Sequence, residues 1–449
     1  VKKLLTYLSN LLHMSTQEDQ DRLRKVLLPT FIIQVSGLGL ALLVSVIMTH
    51  GMGAANYGIY SYCFSIVVGI VNFIVYGINI LAIRETSSLL ALDKASQWKG
   101  FMKWNIKYLF ISSIAVSVIA AIVFYFFPIL PSDTYRIPVI IACSSIPLFS
   151  FLLLISSVLR GMHKVLLSQL AEKLVRPVSM LIMLIAVYLV FKHIGLKAAL
   201  ILNTAAFGIG MLYAVLKYRQ HSGTLLQNLK TEYETSRWMK EVSGLFLFSI
   251  LISIDTQIDI YMLGYLKPPA EVGIYKISNT AAQLTSFFLG ISNVVLAPSF
   301  AHLHALQEKD KLQRLVTQTI RWVMLLTAPV ALFIMIFSHW ILSLWGPEFV
   351  AGQDALIMLC GAHLINSAFG SVGNLALMSK FEKYNGMAIL LSIALNIILN
   401  LLLTPTWGIN GTAFATGISL VIWNVMLYVV VKRKTGIRTW VFAAGTKES

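Results

Sequence analysis

Residues 55–60 read Ala-Asn-Tyr-Gly-Ile-Tyr, and residues 270–275 read Ala-Glu-Val-Gly-Ile-Tyr. Each hexapeptide lies in a short break between two long apolar runs, and the two are 215 positions apart. A weaker pair follows in the same order: Ile194-Gly195-Leu196-Lys197-Ala198 and Trp407-Gly408-Ile409-Asn410-Gly411. Both copies start on the same side of their first apolar run. They are therefore parallel repeats, related by an axis along a membrane normal.

The rest of the 449-residue chain fits a membrane protein: 57% of residues are hydrophobic and 12% charged, against about 25% charged in soluble domains. Twelve runs, the first at 26–49 and the last at 409–431, reach the length of about 20 residues that a spanning helix needs. The sequence predicts an all-α polytopic membrane protein with 12 transmembrane helices in two pseudo-symmetric six-helix lobes around a central cavity. The expected parts are an amphipathic cytoplasmic tail (1–25), an N-lobe (26–216), a cytoplasmic linker (217–242), a C-lobe (243–431) and a basic cytoplasmic tail (432–449). Rocking two such lobes against each other gives alternating access.

Charge sets the expected orientation. The chain carries a net charge of +16 from 35 Lys and Arg against 19 Asp and Glu. Only Arg136, Lys192, Lys197 and Lys267 fall in odd-numbered connections, and Lys276 falls inside a span. All other basic residues lie in the tails and even-numbered connections, counted with the span ends that flank them, so the positive-inside rule puts both termini in the cytoplasm. The basic residues are short clusters between apolar runs, not the stripe on a polar domain that binds nucleic acid. Cys63, Cys143 and Cys360 sit singly in apolar runs, which argues against a metal site or a disulfide framework. The chain has no phosphate-binding GxxxxGK[ST] loop and no outer loop large enough to hold an active site. A transporter, not an enzyme, is expected.

Several stretches resemble one known family. GMGAANYGIYSYCFSI (51–66) is similar to the first outer turn and second helix of the Wzx-type oligosaccharide flippases. RGMHKVLLSQLAEKLVRP (160–177) resembles the start of their fifth helix, and IDIYMLGYLKPPAEVGIYKISNTAAQL (258–284) their seventh and eighth. NIILNLLLTPTWGINGTAFATGISL, from Asn396, resembles their last two. This family shares a superfamily with the MATE drug exporters and the lipid II flippases. The resemblance implies transfer of an undecaprenyl-pyrophosphate-linked oligosaccharide, such as an O-antigen repeat unit, across a bacterial inner membrane. It also implies a polysaccharide polymerase and a chain-length regulator as partners beside the membrane lipids.

Such a substrate asks for cations for its diphosphate, amides for its sugar hydroxyls and an opening for its tail. Ionisable groups inside a membrane are costly and mark candidate sites. Arg84 closes the second span: it either grips a diphosphate bidentately or snorkels to the interface. Arg160 ends the fourth span with the same two readings. Glu172 and Arg176 are four apart near the start of the fifth span (168–191), which places them on one helix face as a pair. An early start to that span buries Arg176; a late one leaves it interfacial. Asn72, Asn79 and Asn374 are the favoured sugar-binding amides, although most amides in a membrane bond a neighbouring helix. His363 reads as a satisfied polar residue.

Asp255 and Asp259, four apart on the seventh span, are candidates for H+ or Na+ coupling, and Lys276 for a gating ion pair with Asp259. A MATE-like cation-coupled exporter is the alternative within transport, and a membrane polysaccharide polymerase or ligase the alternative outside it. If Asp255 couples transport to an ion, Asp255→Asn removes the pH dependence of transport in proteoliposomes. Full transport with full pH dependence in that variant rules the role out.

Overall fold

A computed structural model of the chain describes residues 17–223, 230–379 and 381–441. The amphipathic segment 1–13 lies outside the described residues, as does the end of the basic tail. The described chain forms helices that divide into two compact units, 18–257 and 258–449.

The first unit opens with α1 (Gln17–Ala91), which contains the two runs expected at 26–49 and 59–83. They are separated only by Gly53, at φ 74°, a backbone conformation that costs glycine nothing. Helix α2 (Ala95–Phe126) follows, then α3 (Arg136–Cys143) and α4 (Ser145–Gly161), bent by 43° at their junction. Proline explains the bend. Pro147 has no N–H for the carbonyl of Cys143, and the hydroxyl of Ser117 on α2 donates to that oxygen instead, at 2.7 Å. The fifth span runs without a break from Val165 to Phe191 as α5 (Val165–Leu170), a π turn (Ala171–Val175) and α6 (Arg176–Phe191). Helix α7 (Leu196–Ser222) completes the hydrophobic set.

The next helix, α8 (Thr235–Leu266), begins inside the stretch expected to be linker. Its first part packs into the first unit. Trp238 is fully buried, with its ring 5.2 Å from Phe101 and 5.4 Å from Trp104 of α2. Just before α8, the N–H of Glu232 donates to the carbonyl of Ser96 at 3.3 Å, and Lys103 Nζ donates to Thr231 Oγ1 at 3.2 Å. Gly100 makes this approach possible, because a Cβ there would collide with the Glu232 carbonyl. The division between the two compact units falls inside α8, at 257/258.

In the second unit α8 is followed by α9 (Pro269–Ala282), a 3-10 turn (Gln283–Ser286) and α10 (Phe287–Ala305). Then come α11 (Lys309–Ile336), α12 (Ser338–Ser343), α13 (Gln353–Phe369) and α14 (Val372–Met378). The unit ends with the hairpin of α15 (Glu382–Trp407) and α16 (Ile409–Thr435), which turns at Gly408 with φ 57°. Its core joins α10, α11, α13, α14 and α16 through Phe300, Leu315, Phe369, Leu375, Leu427 and Val431.

Segments beside the repeated motifs meet in both units. In the first, the N–H of Ile194 donates to the carbonyl of Gly51 at 3.0 Å. In the second, Lys267 Nζ donates to the carbonyl of Pro405 at 3.2 Å. Among the described residues eight helices are long and apolar enough to span a membrane, or nine if α3 and α4 make one bent span. This is fewer than the twelve runs in the sequence. α1 fuses two of them, the run at 273–299 is split by the 3-10 turn, and α8, which carries the run at 243–266, is not among the eight.

Gly100→Ala should loosen the segment before α8. Overpacking of this kind costs about 1–3 kcal/mol. A lower melting temperature in detergent and faster proteolysis around residue 232 are the expected readouts.

Candidate functional site

Among the described residues, each unit has a charged side chain set among aromatic or polar partners in its membrane helices. In the first it is Arg176. Helix α5 starts at Val165, eleven residues earlier, which at 1.5 Å per residue puts Arg176 about 16 Å along the span. The early start is thus the one observed. The guanidinium lies 4.0 Å from the centroid of Phe207 and 5.8 Å from that of Phe64, and its Nη2 donates to Asn203 Oδ1 at 3.1 Å. Phe149 stacks on Phe207 at 4.3 Å, and Tyr60 stacks on Phe64 at 6.1 Å. A cation in such an aromatic cradle keeps most of its hydrogen-bond donors for a ligand while the rings offset its desolvation.

The expected Glu172–Arg176 pair does not form. Glu172 lies in the π turn Ala171–Val175, which ends just before Arg176. Glu172 turns instead to Arg160, whose Nη2 lies 3.3 Å from its Oε1 and also donates to Ser157 Oγ at 3.2 Å. The Nε of Arg160 is buried without a partner among the described residues. Arg84 is 59% exposed and ion-paired with Glu241 of α8. Next to it, Arg237 pairs with the buried Glu85 and, at 2.6 Å, with Glu234. Arg84 and Arg237 therefore help hold α8 against the end of α1.

In the second unit the centre is Asp259. Its Oδ1 accepts from Asn396 Nδ2 at 3.1 Å, and its Oδ2 accepts from the hydroxyls of Tyr275 at 2.9 Å and Thr416 at 2.8 Å. The chain continues outward. Asn400 Nδ2 donates to Asn396 Oδ1 at 2.9 Å, Thr404 Oγ1 donates to Asn400 Oδ1 at 2.9 Å, and Thr404 and Thr412 share a hydrogen bond of 2.9 Å. This order fixes the amides, since Asn396 must show its nitrogen to the carboxylate and its oxygen to Asn400. The expected Asp259–Lys276 pair is absent. Successive helical residues point about 100° apart, so α9 can turn only one of Tyr275 and Lys276 toward α8, and it turns the tyrosine.

The remaining candidates lie apart. Asp255 is exposed on α8 and Asn72 half-buried on α1. Asn79 keeps a buried Oδ1 with no partner among the described residues. Asn374 is a helix tie, donating to the carbonyl of Asn293 at 2.7 Å. His363 hydrogen-bonds Ser286 at 3.0 Å. The aromatic cradle and the roles of Asn203, Tyr275 and Thr416 were not legible in spacing. Tyr275 and Asn203 did carry a signal, as members of the repeated motif and of the run of membrane amides.

Removing the acceptor at the second centre strands three donors, each worth about 1 kcal/mol. Asp259→Ala is expected to cost about 3 kcal/mol, read as a clear fall in melting temperature in detergent. Lys276→Met breaks no ion pair and should melt like the parent.

Comparison with known proteins fits this architecture. The family model described as "Polysaccharide biosynthesis protein" matches residues 23–304, and the MatE model matches residues 245–402. A probable low-salt glycan biosynthesis flippase of Haloferax volcanii, Agl15, is 25% identical over 184 residues, 40% of this chain. The chain spans 39% of that relative's length. A multidrug resistance MATE family transporter of the MOP superfamily, in its inward-facing conformation, superposes with a TM-score of 0.72 at 12% identity. That match covers 89% of this chain and 94% of the transporter. The lipid II flippase MurJ, in an inward closed conformation, gives 0.69 at 13% identity, over 90% and 87% of the two chains. At these identities the likeness is one of fold. The family model covers more than half of the sequence, and the chain belongs to the polysaccharide biosynthesis protein family.

Proposed function

We propose that this chain is a flippase that moves an undecaprenyl-pyrophosphate-linked oligosaccharide from the cytoplasmic to the outer leaflet of a bacterial inner membrane, for O-antigen, capsule or exopolysaccharide assembly. The observation that carries the reading is Arg176. A guanidinium deep in a span, held by rings and one amide rather than by a carboxylate, is ready to bind a diphosphate with paired hydrogen bonds. The family match and the flippase activity named for the Haloferax relative support the same class. No covalent step is required, so the chain acts as a transporter and not as an enzyme.

In this reading the lobes at 26–216 and 243–431 rock about a central cavity, with both termini in the cytoplasm. The lipid-linked glycan enters from the cytoplasmic leaflet, where Arg84 and Arg160 lie near its path, and a polymerase and a chain-length regulator take over the product. Asp259, with its ring of amides and hydroxyls, is the place for H+ or Na+ coupling. A carboxylate held by neutral donors can exchange a donor for a cation without leaving a bare charge. An exporter of cationic drugs fits Arg176 poorly, because the centre of the first unit would repel its cargo.

Replacing the native gene with an Arg176→Gln variant should mimic depletion of the protein. Mass spectrometry of lipid extracts should then show the cytoplasm-facing undecaprenyl-linked repeat unit accumulating, with Arg176→Lys intermediate. An unchanged lipid pool with altered drug efflux would overturn the proposal.

A further inference from the structure

One face of α9 stays outside the Asp259 network. From Val272 to Ala282 every residue is buried except Lys276, Asn279 and Thr280, and Gln283, in the 3-10 turn that follows, is exposed. Intervals of three and four residues place all four on one side of the helix. Lipid-facing helices show the opposite pattern: the exposed residues of α6 include Ile182, Ile185, Leu189, Val190 and Phe191. A bare lysine and two amides facing hydrocarbon would carry a heavy desolvation cost, which favours a watered setting for this half-buried face. Its polar groups are little used within the chain. Gln283 Nε2 donates to Asn279 Oδ1 at 3.4 Å, Thr280 Oγ1 donates to the Lys276 carbonyl at 2.8 Å, and Lys276 has no ion-pair partner among the described residues.

Given the flippase reading above, we propose that this stripe is a glycan track: Asn279, Thr280 and Gln283 hydrogen-bond sugar hydroxyls, and Lys276 holds an anionic oxygen at the track's Pro269 end. Carboxamides suit the first task because each both donates and accepts, matching a hydroxyl that does the same. The repeat sharpens the assignment. The residue of the first unit 215 positions before Asn279 is Phe64, beside Arg176. At corresponding places one unit therefore offers an aromatic ring beside a cation, and the other an amide. The anion at Lys276 belongs either to the diphosphate or to an acidic sugar.

The test uses the full chain in nanodiscs with three probes: farnesyl diphosphate, the same lipid bearing N-acetylglucosamine, and the same lipid bearing an N-acetylglucosamine–glucuronate disaccharide. Asn279→Leu with Gln283→Leu should weaken both glycosylated probes about tenfold, the worth of two hydrogen bonds, and leave farnesyl diphosphate unchanged. Lys276→Met should weaken all three probes if the anion is the diphosphate, or the glucuronate probe alone if it is the sugar. Unchanged binding of every probe in both variants overturns the track. A second measurement is independent of binding. The native cysteines are buried, so Asn279→Cys and Gln283→Cys can be labelled with a membrane-impermeant methanethiosulfonate. Rapid labelling is expected, and labelling as slow as that of Ile185→Cys overturns the inference. If the parent protein binds none of the probes, the flippase reading fails while the labelling still decides whether the stripe lines water.

Discussion

Arg176 leans on Phe207 and Asn203, while the acid of its own helix, Glu172, pairs with Arg160. A charged group in a membrane must bring its solvation with it, and that need organises the first unit. Glu172 lies in the π turn just before Arg176, and the guanidinium is held by two rings and one amide.

The second unit meets the same need with the opposite charge. Asp259 is surrounded by donors from three other helices, α9, α15 and α16, so the carboxylate also ties those helices to α8. The other end of α8 is anchored in the first unit by Trp238 and by the pairs of Glu241 and Arg237. One helix thus contributes to both compact units, and its two ends are fixed by unlike forces: aromatic burial with partly exposed ion pairs at the start, and a buried hydrogen-bond network near the finish. Exposed pairs weaken in salt, whereas a buried network does not.

Hydrophobic length and the repeated hexapeptide carried the helical architecture in the sequence, because apolar runs of spanning length have few other uses. Connections were less legible. The stretch 217–242 is polar enough to read as linker, yet Trp238 makes its second half the start of a packed helix, a decision taken by a tertiary contact with Phe101. The candidate site was legible in its charges and not in their partners. Arg176 and Asp259 stand out in any reading of membrane helices. The pairing drawn from i, i+4 spacing failed at Glu172, which Arg160 takes instead, and the pairing drawn across two spans failed at Lys276, where its neighbour Tyr275 faces inward. Spacing rules assume a regular helix and a known inward face, and functional sites are where those assumptions break.

The repeat explains why the two centres look alike in plan and differ in chemistry. Tyr60 and Tyr275 close the repeated hexapeptides, and Asn203 and Thr416 each follow the repeated glycine, Gly195 or Gly408, at the same interval. In the first unit Tyr60 stacks on the ring below Arg176 and Asn203 binds the guanidinium. In the second, Tyr275 and Thr416 both donate to Asp259. The backbone of each half thus brings the same two positions beside a charge, and the charge comes from a different helix in each copy: the fifth span for the cation, the seventh for the anion.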